Sequence, residues 1–95
     1  MQSRVYKYEL AVTGAQTVAM PSNAIIQSVG VQRGTLCIWA KIDPLVKGFE
    51  DRVFRIVGTG HDFDDTYLAY IDTFQMKNGE FVGHLYEQLK KKLKD

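Results

Sequence analysis

The densest group of chemically capable side chains is His61, Asp62, Asp64 and Asp65, which follows Gly58, Thr59 and Gly60. Three carboxylates and an imidazole so close together can offer oxygens to a hard cation, or His61 with Asp62 or Asp64 to a transition metal. The spacing matches no established metal code. An EF-hand loop opening at Asp62 needs glycine at its sixth position and glutamate at its twelfth, where the chain has Tyr67 and Thr73. Aspartates also serve turns through side-chain hydrogen bonds, and that reading competes directly with metal binding. The glycines could cradle a phosphate only before a helix N-terminus, and a strand pattern follows instead. His61 and His84 could form a two-histidine phosphoesterase centre, but the Ser or Thr expected two residues after each is Phe63 and Tyr86. An acid–base pair of His61 with Asp64 has no identifiable nucleophile beside it. No catalytic residue and no cofactor is assigned, and the balance leans away from an enzyme.

Aromatic side chains supply the second candidate chemistry. Tyr6, Tyr8, Trp39, Tyr67 and Tyr70 could stack on bases or build a contact surface, although most aromatics of a small β domain belong to its core. Trp39 alternates with Cys37 and Lys41 rather than with Leu36, Ile38 and Ile42, so it is the aromatic expected on the outside. The expected binding residues are therefore Trp39, Lys41, Arg55, His61, Asp62 and Asp64, with His61, Asp62 and Asp64 the set for any metal. Cys37 lies in an apolar run and reads as a buried structural thiol, and a single cysteine excludes an internal disulfide.

The elements that must position these residues read as strands. Val5 to Val12 alternates with a period of two, Thr17 to Met20 resumes it briefly, and Ala24 to Gln32 is rich in β-branched residues, with Gly30 a candidate bulge. Arg33 and Gly34 make a tight turn into a central strand at Leu36 to Ile42, which Asp43 and Pro44 end. Arg52 to Val57 and Tyr67 to Gln75 follow, the latter with Tyr70 and Phe74 on one face. Asn78 and Gly79 suit a two-residue hairpin turn, returning the chain at Phe81 to Tyr86. Leu85, Leu89 and Leu93 then recur every four residues, which predicts a short lysine-rich helix over about 86–95. The expected fold is mainly β: one domain over 1–95, a small antiparallel β-sandwich or barrel of about seven strands with a short C-terminal helix.

Composition narrows the partners. Ninety-five residues with 45% hydrophobic and 24% charged side chains suit one globular domain. A net charge of +1 provides no broad field for nucleic acid or anionic lipid, and four lysines near the end without interleaved aromatics read as a solvated segment. No apolar run is long enough for a membrane helix, and Arg4, Lys7 and Glu9 stand where a signal peptide would be apolar, so the expected setting is cytoplasmic.

The run Phe54 to Asp64, FRIVGTGHDFD, with Trp39 ahead of Asp43 and Pro44, resembles a segment of small bacteriophage proteins of an uncharacterised family. The resemblance covers Val5 to Tyr86 and brings no catalytic residues. It implies a phage accessory product in the host cytoplasm that binds and blocks or sequesters a host factor, a defence component among the candidates. A sharper variant is an oligomeric sponge for a nucleotide immune signal, with Arg33, Lys41, Arg52 or Arg55 near aromatics. A metal-dependent hydrolase at His61 and a virion interaction module are the alternatives. The expected partners are a host protein or a small nucleotide, together with further copies of the chain, whose association would cover edge strands.

Overall fold

The structure, a computed structural model, describes residues 2–90. Seven strands follow in chain order: β1 (Arg4–Leu10), β2 (Ala15–Pro21), β3 (Ile25–Gln32), β4 (Thr35–Ile42), β5 (Phe49–Gly58), β6 (Leu68–Met76) and β7 (Phe81–Gln88). They form a three-stranded sheet in the order β1-β4-β3 and a four-stranded sheet in the order β2-β5-β7-β6, with every pairing antiparallel. Among the described residues each sheet keeps two edges, so the barrel alternative does not hold. β4 is central, as its apolar content on both faces predicts.

One core joins the sheets. Leu36, Ile38, Ala40 and Ile42 of β4 meet Met20, Phe54, Phe74 and Leu85 from the other sheet, with Leu10 closing one side. Cys37 points to the opposite face of β4 yet is fully buried, as a structural thiol should be. The half-buried Trp39 shares that face, and a Cβ on Gly30, which pairs with Cys37, would meet Trp39 Cζ3 at 3.6 Å, an ordinary van der Waals contact. The bulge of β3 falls instead between Ile26 and Ser28.

Arg52 locks one end. Its guanidinium meets the Glu87 carboxylate through two hydrogen bonds of 2.6 and 2.8 Å and donates a third, of 2.6 Å, to the Ala24 carbonyl. One side chain thus ties β5, β7 and the β2–β3 connection in a partly shielded position, where a forked pair is worth more than on open surface. The hydrogen bond to Glu87 raises the Arg52 pKa further above its ordinary value.

The terminal helix is not formed among the described residues. β7 continues to Gln88, which pairs with Val53 on one side and Leu68 on the other, and residues 91–95 lie outside the described part. The period of four misled because Leu85 also belongs to an alternating set: Gly83 and Leu85 are buried, while Val82, His84 and Tyr86 face the other way. Two ladders outweigh the weak helical preference of a short segment. The Asn78–Gly79 hairpin exists, but its loop holds four residues, with Lys77, Asn78 and Gly79 all at positive φ.

β6 departs most from simple alternation. A bulge between Tyr70 and Asp72 reverses the facing, so Tyr70 points outward while Phe74 enters the core. The Phe74 ring lies on Gly83: a Cβ there would stand 2.5 Å from Phe74 Cζ and 2.9 Å from Phe81 Cε2. Gly83→Ala must displace a buried ring, and overpacking of this kind costs about 1–3 kcal/mol. Urea denaturation should show a lower midpoint with an unchanged slope.

Candidate functional site

The outer face of the four-stranded sheet, with the loop of residues 59–67 beside it, gathers most of the uncommitted chemistry. Val57, His84 and Thr73 stand in one row across β5, β7 and β6, and Arg55, Tyr86 and Tyr70 in the next. The bulge in β6 brings Tyr70 and Thr73 to the same face although three positions separate them.

These rows carry a continuous hydrogen-bond chain. Thr59 Oγ1 lies 2.7 Å from His84 Nε2, and Thr73 Oγ1 lies 2.9 Å from His84 Nδ1 and 2.6 Å from the Tyr70 hydroxyl. Both imidazole nitrogens are therefore occupied. Around the chain the aromatic rings stack edge to face or tilted, Tyr70 on Tyr86 with centroids 5.6 Å apart and Phe63 on Tyr86 at 5.3 Å.

Local hydrogen bonding shapes the loop. Thr59 N–H extends the ladder to the Val82 carbonyl, Gly60 adopts φ 88°, and His61 N–H returns to the Gly58 carbonyl. The His61 ring rests against Gly58, where a Cβ would lie 3.1 Å from both Cε1 and Nδ1. Asp64 Oδ1 accepts the Thr66 N–H at 2.9 Å, and Leu89 N–H closes the far end on the Tyr67 carbonyl. An open hollow of about 250 Å³ lies between loop and sheet, lined by Val57, Thr59, His61, Phe63, His84 and Tyr86 among others.

The expected site residues divide between two faces. Arg55, His61 and Asp64 belong to this region, where Arg55 pairs across the ladder with Tyr86 and its charge favours the Asp64 carboxylate. Asp62 is exposed in the loop. Trp39 and Lys41 are half-buried on the outer face of the other sheet and do not join them. His61, Asp62 and Asp64 do not converge, and among the described residues no group of three or more His, Cys, Asp or Glu side chains could hold a metal ion. Asp64 acts as a turn-former, the competing reading of the acidic cluster. Of the arginines considered for a nucleotide, Arg52 is engaged by Glu87.

Thr73, Tyr86 and Phe63 were not expected as site residues. Tyr86 and His84 share a face of β7 by simple alternation, a signal present in the sequence. Thr73 carries none, because an unbulged β6 would set it opposite Tyr70.

The chain of hydroxyls and imidazole predicts coupling. Thr59→Val and Thr73→Val each remove one partner of His84. Their combined effect on stability should differ from the sum of the singles by about 0.5–1 kcal/mol in a double-mutant cycle read by urea denaturation. Asp64 gives a pH prediction. Hydrogen bonding to Thr66, assisted by Arg55, holds its pKa below the ordinary carboxylate value. Its stabilising contribution is complete above that ordinary value and is lost as pH falls through the depressed one. In acid titrations followed by circular dichroism, Asp64→Asn should be less stable than the parent at neutral pH, with the difference narrowing towards low pH.

Comparison with known proteins adds little chemistry. No curated protein and no solved structure matches the chain. The sequence profile of one family, described as a domain of unknown function (DUF7352), matches residues 1–94, and the chain belongs to that family.

Proposed function

We propose that this chain acts by binding rather than by catalysis, and that its target is a host factor blocked or sequestered by a phage accessory protein. The phage and host parts rest on the segment Phe54 to Asp64. The binding part rests on one observation: Thr59, His84, Thr73 and the Tyr70 hydroxyl are spent on one another, while aromatic surface stays open. His84 has both ring nitrogens engaged by Thr59 and Thr73 of the same face, which holds the imidazole in one orientation. Tyr70 is 58% exposed and Phe63 and Tyr67 are also exposed, which suits rigid aromatic anchors of a protein contact. A protein target fits better than a deeply enclosed small molecule, because the hollow beside His84 is small and open.

A nucleotide sponge is the second reading, supported by Arg55, which pairs across the ladder with Tyr86, one of the residues lining that hollow. The two readings separate experimentally. Affinity capture from host lysate with the parent chain and with the Phe63→Ala, Tyr70→Ala double variant, followed by calorimetry on the purified host protein, tests the first. Truncation of two anchors should weaken binding by tenfold or more, since hot-spot truncations cost about 2 kcal/mol or more each. Equal retention by parent and variant would reject this surface. Heat on titration with cyclic or ADP-ribose-type nucleotides, lost in Arg55→Ala, would favour the sponge.

A further inference from the structure

Four strands lie at sheet edges, and three of them carry devices that oppose pairing with another chain. β2 ends on Pro21, which has no N–H to donate, while β3 and β6 are each bulged. β1 has no such backbone device, and its guard is charge alone, at Arg4, Lys7 and Glu9. It pairs with β4 residue for residue from Arg4 to Leu10 without a register shift, and it contains neither proline nor glycine.

We propose that β1 is the dimerisation edge of this protein, pairing antiparallel with β1 of a second copy to make one six-stranded sheet. A two-fold axis through an antiparallel pair must pass beside a single residue, because opposed residues share a face. Centring on Lys7 sets two lysines against each other. Centring on Tyr6 leaves Lys7 opposite Val5 and Arg4 opposite Tyr8. Centring on Tyr8 sets Lys7 opposite Glu9 of the second copy, twice by symmetry, on the outer face. The same register places the exposed Tyr6 opposite Leu10 on the inner face, where Leu10 is buried in its own core. Charge complementarity thus selects the Tyr8 register over those centred on Tyr6 and Lys7. In the single chain Lys7 Nζ reaches across β4 to donate to the uncharged Gln32 Oε1 at 2.9 Å, an exposed contact for which a carboxylate acceptor is the stronger replacement.

A charge-reversal cycle tests the register by sedimentation equilibrium. The parent should dimerise. Lys7→Glu and Glu9→Lys should each raise the dimer dissociation constant by roughly tenfold or more, because two cross-strand pairs become repulsive in each symmetric dimer. The double reversal should restore association to near the parent value, which also shows that the substituted strand folds. Lys47→Glu, in the β4–β5 loop, should leave the dimer unchanged. A parent that stays monomeric at millimolar concentration overturns the proposal. So does a dimer indifferent to both single reversals, or one not recovered by the double.

Discussion

The packing of Phe74 on Gly83 is the constraint from which both faces of the four-stranded sheet follow. A benzyl ring sits where a side chain on β7 would stand, and this draws β6 close enough for its ring to reach the shared core. To supply Phe74 inward and Tyr70 outward on the same strand, β6 must carry an odd residue between them, and the bulge provides it. The hydroxyl chain through Thr73 depends on that extra residue as much as the core does. Core and candidate site are two outcomes of one irregularity.

The two outer faces differ in how their polar groups are used. On the three-stranded sheet, the half-buried Trp39 lies against Gly30 on the same face as the fully buried Cys37, so much of its apolar surface serves the fold. On the four-stranded sheet, His84 links hydroxyls from the loop after β5 and from β6, and the rings of Phe63, Tyr70 and Tyr86 gather beside it. A satisfied polar network holds its members in fixed geometry, and aromatic groups so fixed lose little freedom on contact with a partner. The second face is the one on which aromatic surface stays open, at Tyr70 and Phe63.

Alternation made the seven strands and the central place of β4 legible from the amino-acid order, and the apolar run around Cys37 its burial. Three features were not. The bulge in β6 has no compositional mark, since Tyr70, Ile71, Asp72 and Thr73 read as an ordinary strand, and parity calculated across them assigns Tyr70 and Phe74 to one face. Leu85 and Leu89 satisfy a helical period by coincidence, and only pairing with β5 and β6 decides for strand. The loop cluster was found through His61, Asp62 and Asp64, but its acidic members mark the turn, while the hydrogen-bonded centre uses His84, whose partners are distant in sequence.

The order of pairing bears on how the chain reaches this fold. β3 with β4, and β6 with β7, are hairpins closed by short turns rich in left-handed residues, and such units form within microseconds. β1 instead finds its partner beyond two intervening strands, as Leu10 pairs with Leu36, and β2 skips over β3 and β4 to reach β5. Contacts of such sequence separation slow folding, because loop closure precedes any gain from packing. During synthesis β1 emerges first and waits unpaired until β4 has been made. Its charged residues, Arg4, Lys7 and Glu9, then keep a nascent strand in solution before they decorate a finished sheet.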